Sequence, residues 1–142
     1  MCFSFIIKML TQKVGIKSCH GKYLTSTSGG KITCDKSEIK DNEIFVLKRN
    51  EGFVTLKTKY GKYISVNSNN TLEAEKDKVT EFEKFESEFL DNNKFHLKAN
   101  NGFYVCVTKE GKIEVNRKEV KDFEALEFIL KDVELLSDCL KL

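Results

Sequence analysis

Apolar and polar positions alternate in three short stretches, Val14-Gly15-Ile16, Val54-Thr55-Leu56 and Phe95-His96-Leu97, each followed by a lysine. Alternation with a period of two predicts strands with one buried face. Turn signals come next at Gly21, Gly61 and Asn100-Asn101-Gly102, and again at Ser28-Gly29-Gly30 and Asn67-Ser68-Asn69-Asn70. Glycine and asparagine accept positive φ there and close tight hairpins. Between residues 14 and 130 no long run carries the 3.6-residue period of a helix. The pattern predicts an all-β chain.

The same markers recur in one register. Gly21-Lys22-Tyr23-Leu24 returns as Gly61-Lys62-Tyr63-Ile64 and, more loosely, as Gly102-Phe103-Tyr104-Val105, at offsets of 40 and 41 residues. Gly30-Lys31-Ile32 is answered by Asn70-Thr71-Leu72 and Gly111-Lys112-Ile113, and Glu43-Ile44-Phe45 by Glu83-Lys84-Phe85 and Glu124-Ala125-Leu126. These markers define three units, residues 14–53, 54–94 and 95–130, each with the grammar of four short strands. Three units of about forty residues are too few for a propeller. They suit a closed barrel with pseudo-threefold symmetry and a triangular cap of hairpins, a β-trefoil of about 12 strands forming a single domain over 14–130. Closure would pair the last strand, Glu124 to Leu130, with the first, Val14 to Cys19, leaving few open edges. The expected core is a set of threefold equivalents: Ile16, Leu56 and Leu97; Leu24, Ile64 and Val105; Ile32, Leu72 and Ile113; Phe45, Phe85 and Leu126.

Composition narrows the function classes. The chain has 142 residues, 40% apolar and 32% charged, the balance of one ordinary globular domain. Its net charge of +2 comes from 24 basic and 22 acidic residues, far from the basic field of a dedicated nucleic-acid binder. Five cysteines, Cys2, Cys19, Cys34, Cys106 and Cys139, include no Cys-x-x-Cys pair, so they read as small buried residues in a reducing cytoplasm and not as a disulfide or zinc framework. The segment Met1 to Leu10 is apolar but has no basic residue ahead of its apolar run, is interrupted by Lys8, and is too short to span a bilayer. With Cys at position 2, amino-terminal myristoylation is not expected, whereas a lipid on Cys2 is an open alternative.

The repeat unit of apolar-x-Leu/Ile-Lys, Gly-Lys-Tyr-Leu/Ile and Glu-x-Phe closely resembles that of the fascin and hisactophilin group of β-trefoils. Val54-Thr-Leu-Lys-Thr-Lys-Tyr-Gly-Lys-Tyr-Ile-Ser65 carries the resemblance best, and Val14 to Thr25 nearly as well. The third repeat departs, with Phe103 for the lysine and Leu126 for the phenylalanine. The resemblance implies a trefoil that binds or crosslinks filamentous actin in the cytoplasm, at the cytoskeleton or cell cortex, without enzymatic activity or cofactor. Hisactophilin-like proteins are rich in histidine, but only His20 and His96 occur here, so a strong charge switch near neutral pH does not carry over. Fascin-like proteins chain several trefoils. Crosslinking by a single one requires two filament-facing surfaces or dimerisation.

No residue pattern predicts catalysis, a phosphate loop or a metal site, and the lectin-type Gln-x-Trp motif is excluded because tryptophan is absent. His20 is expected in a solvated turn and His96 on the wet face of a strand. A Cys19–His20 dyad is disfavoured because adjacent strand residues point to opposite faces. The first repeat holds seven basic and five acidic residues, the second seven and eight, the third six and six. Basic residues recur at equivalent positions, Lys17, Lys57 and Lys98, with Lys22 and Lys62 in the hairpins and Lys59 nearby. These six form the candidate actin-binding set, against the plainer reading that they are solvated positions needed for solubility. Outside the repeats lie an apolar amino-terminal extension, residues 1–13, and an amphipathic carboxyl-terminal one, residues 131–142, where Val133, Leu136 and Leu140 fall at helical spacing. The two extensions are expected to cover one another or the barrel mouth. The alternatives are self-association, membrane contact, or an adaptor role without actin.

Overall fold

The computed structural model describes residues 11–131, and the helix expected after residue 130, together with Cys2 and Cys139, lies outside them. Each repeat contributes four strands. The first gives β1 (Thr11–Ser18), β2 (Tyr23–Ser26), β3 (Ile32–Lys36) and β4 (Phe45–Asn50); the second gives β5 (Phe53–Lys57), β6 (Tyr63–Val66), β7 (Leu72–Lys76) and β8 (Phe85–Phe89). The third gives β9 (Lys94–Ala99), β10 (Tyr104–Val107), β11 (Ile113–Arg117) and β12 (Leu126–Leu130). A one-turn 3-10 helix precedes the last strand of every repeat, at Asp41–Glu43, Glu81–Glu83 and Asp122–Glu124.

Six strands form a closed ring. β1 pairs with β4, β4 with β5, β5 with β8, β8 with β9, β9 with β12, and β12 returns to β1, all antiparallel. First and last strands pair as the repeat pattern anticipated, in a register that sets Val14 against Leu130 and Ser18 against Leu126. The other six strands are the hairpins β2–β3, β6–β7 and β10–β11, which cap one end of the barrel. The chain is a β-trefoil, and all twelve expected core residues are at most 6% exposed.

At the cap two hairpin tips each accept a hydrogen bond from the next hairpin. The Gly30 carbonyl accepts from Ala74 N–H at 2.8 Å, and the Asn70 carbonyl accepts from Val115 N–H at 2.7 Å. Gly30, Asn70 and Gly111 all adopt positive φ, at 90°, 57° and 83°. A Cβ on Gly111 would lie 2.8 Å from the Cys34 carbonyl oxygen, so that tip also needs the missing side chain.

Three carboxylates hold the bases of the hairpins. Glu43, Glu83 and Glu124 are equivalent, and each is at most 4% exposed. Each accepts the backbone N–H that starts its own 3-10 helix, from Lys40 at 2.8 Å, from Thr80 at 2.7 Å, and from Lys121. Glu43 also accepts the Thr25 hydroxyl from β2, and Glu83 accepts the Thr80 hydroxyl at 2.7 Å. Such partners offset the cost of burying a carboxylate, and Glu83 accepts them through Oε1 while its Oε2 has none. In the sequence these residues are register markers; in the fold they are internal braces.

Two histidine expectations are corrected. The middle residues of the three alternating stretches, Gly15, Thr55 and His96, are buried along with their neighbours. These strands are therefore covered on both faces. At Gly15 the cover is Ile39, whose Cδ1 would sit 2.7 Å from an added Cβ. His96 is 7% exposed, its Nδ1 lies 3.3 Å from Glu88 Oε1, and its ring meets Tyr104 edge-on at 6.0 Å. His20 is half-buried, not a freely solvated turn residue: its Nε2 donates to the Val107 carbonyl at 2.9 Å, and its ring lies edge-on to Phe123. Among the cysteines Cys34 and Cys106 are buried as expected, but Cys19 is exposed.

Candidate functional site

The outer surface of each repeat carries one arrangement three times. Lys17, Lys57 and Lys98 lie at or next to the last residue of β1, β5 and β9, and a tight turn then returns the chain as β2, β6 and β10. In every turn a backbone N–H reaches across the loop, from Ser18 to the Lys22 carbonyl at 2.8 Å, Thr58 to Lys62 at 2.7 Å, and Ala99 to Phe103 at 2.8 Å. The glycine in each turn has positive φ, which only a residue without Cβ adopts freely. This geometry places Tyr23, Tyr63 and Tyr104 directly across from the three lysines. Lys57 Nζ stands 5.4 Å from the Tyr63 ring centroid, and Lys98 Nζ 5.8 Å from that of Tyr104, within the range of cation–π attraction.

On its other side each tyrosine pairs with a second cation. Tyr23 stands opposite Lys36, Tyr63 opposite Lys76, and Tyr104 opposite Arg117. The result is a strip of cation, aromatic ring and cation across three strands, repeated in all three units. The sequence reading missed Lys36, Lys76 and Arg117, although they recur at the same 40- and 41-residue offsets. Pairing them with the tyrosines requires the register, and a register shift follows each tyrosine.

The six candidate lysines do not make one patch. Lys57, Lys59 and Lys62 share the β5–β6 hairpin, Lys17 and Lys22 share β1–β2, and Lys98 stands in the third repeat. Threefold equivalence sets the strips on three sides of the barrel. Lys22 Nζ donates to Ser37 Oγ at 2.7 Å, and Lys62 is ion-paired with Asp77. In the third repeat Phe103 takes the lysine position and packs on the core, while Lys118 occupies the place of Ser37 and Asp77. Lys59 lies 5.2 Å from the Tyr60 ring and joins Lys36 and Lys40 around a surface depression of about 800 Å³ between the first two repeats.

Carboxylates grade the strips. Across the barrel seam Lys17 faces Glu127 and Lys98 faces Glu86, but Lys57 faces Val46. Arg117 is further paired with Glu114 at 3.5 Å. Of the three equivalent lysines, Lys57 is the one with no carboxylate directly opposite it. Although Cys19 is exposed, partial desolvation of its thiol, with Glu124 and Asp122 nearby, pushes it above its ordinary range, away from a reactive thiolate. Among the described residues no group of three His, Cys, Asp or Glu side chains could hold a metal, and no helix is long and apolar enough to cross a membrane.

A family model described as Fascin domain matches residues 3–87, more than half of the chain. No curated protein matches it as a relative.

Proposed function

The chain belongs to the fascin family of β-trefoil proteins, and on that premise we propose that it is a non-enzymatic cytoplasmic module that binds filamentous actin through its cationic strips. The observation that carries this reading is the strip Lys57–Tyr63–Lys76, with Lys59 and Lys62 on the same hairpin. Paired β-strands hold these cations at fixed spacing, and the tyrosine between them adds a ring that excludes water beside the charges. An acidic polymer surface is the partner such an array suits. The strips of the other repeats face other directions, so one trefoil offers more than one attachment side. Crosslinking then needs no second domain.

Co-sedimentation with actin filaments tests the reading. The protein should pellet with filaments at high speed and be released as salt rises, since exposed ion pairs are screened over about 10 Å at 0.1 M. Low-speed pelleting should reveal bundles. Failure to co-sediment at low salt would overturn actin binding and leave an adaptor role.

A further inference from the structure

The barrel end opposite the hairpin cap has an apolar rim. Phe89 and Leu90, at the β8–β9 hairpin, are 52% and 42% exposed, and Leu130, at the end of β12, is 53% exposed. Phe89 leans across the mouth. Its ring centroid lies 6.2 Å from that of Phe128 in β12, and the Arg49 guanidinium of β4 sits over it at 4.4 Å. Phe128 is itself stacked on Phe95 at 3.5 Å. The rim is thus the wet edge of the aromatic core. Three large apolar side chains gathered at one opening exceed the scattered exposure normal for a soluble surface.

The chain enters the barrel beside this rim. Thr11 stands opposite Lys48 in β4, and Val14 opposite Leu130 in β12. Thr11, where the described residues begin, therefore stands at the mouth, between the strands that carry Arg49 and Leu130. Ten extended residues reach about 33 Å, several strand spacings of ~4.8 Å, so the segment can cross the opening. Residues 1–10 include Phe3, Phe5, Ile6, Ile7, Met9 and Leu10 and one charge, Lys8. Residues 132–142 also follow from this end, but they carry four charges, Asp132, Glu134, Asp138 and Lys141. The family match begins at residue 3, ahead of β1.

We propose that residues 1–10 dock across the barrel mouth and cover Phe89, Leu90 and Leu130. Burying these side chains against one another removes apolar surface from water without recruiting a partner. It also leaves the cationic strips on the barrel flank unobstructed.

A spin label tests this in the full chain. Ser4→Cys, in a background of Cys2→Ser, Cys19→Ser and Cys139→Ser, gives one accessible thiol for a nitroxide, because Cys34 and Cys106 are buried. Amide signals of Phe89, Leu90 and Leu130 should lose intensity several-fold relative to Asn69 and Lys112 at the opposite cap. The loss should persist on dilution with unlabelled protein. A second label through Lys8→Cys guards against a local effect of the first. Equal broadening at both ends, or none at the mouth, would overturn the proposal. Broadening that vanishes on dilution would assign the rim to a second copy of the chain and overturn it as well.

Discussion

Lys57 stands opposite Val46 across the β4–β5 pair, the one seam of three where the equivalent lysine meets no carboxylate. Lys17 and Lys98 are opposed by Glu127 and Glu86, and unlike charges placed directly opposite attract across strands. The pseudo-symmetry of the fold is thus broken in charge at a place where it is kept in shape.

That asymmetry ranks substitutions. Lys57→Glu with Lys76→Glu should weaken co-sedimentation with actin about tenfold, taking ~0.7 kcal/mol for each exposed charge contact. Lys98→Glu with Arg117→Glu should do less, because both cations already face carboxylates. Equal effects, measured at one salt concentration, would remove the preference for the second strip.

Leu56 tests the barrel core. It is 1% exposed, and Leu56→Ala should lower stability by ~2–5 kcal/mol through lost burial and the cavity left behind. An unchanged urea midpoint would contradict its place in the core.

Acid should loosen the hairpin bases. Burial alone would raise the pKa of Glu83, but hydrogen bonds, those from Thr80 among them, outweigh it and hold the carboxyl below its ordinary value. A folded pKa below the unfolded one contributes stability that is fully present above the unfolded pKa and is lost as pH falls through the folded one. Urea midpoints should therefore fall below the ordinary carboxylate range. In Glu83→Gln the midpoint should start lower at pH 7 and change less on acidification.

Two glycines with nearly the same φ should respond differently to alanine. Gly21, at +82°, has nothing within 4 Å of an added Cβ, so Gly21→Ala should cost only the backbone strain, ~1 kcal/mol. Gly111, at +83°, would set that Cβ against the Cys34 carbonyl, and Gly111→Ala should cost ~2–3 kcal/mol. Thermal or urea melts of the pair separate strain from collision.

The trefoil was readable because its evidence is periodic. Gly21, Gly61 and Gly102 mark equivalent turns, Ile16, Leu56 and Leu97 equivalent core positions, and a repeat displays both without any knowledge of contacts. The burial of His96 was not readable. Alternation assumes one wet face per strand, and these strands are covered on both, as Ile39 covers Gly15 from far along the chain. The strips lay between these cases. Lys17, Lys57 and Lys98 stood out by spacing, but Lys36, Lys76 and Arg117 gained meaning only when the register set them beside the tyrosines.

The pairing of β1 with β12 also bears on how the chain folds. The first strand of the ring to be synthesised finds its β12 partner only when the last is made, more than a hundred residues later. Until then β1 and β9 each expose an edge that the finished barrel hides, and a chain stalled before Leu126 offers two templates for pairing with other chains. Contacts this distant in sequence are slow to form. The ring that leaves the mature barrel without edges therefore makes its assembly depend on the final strand.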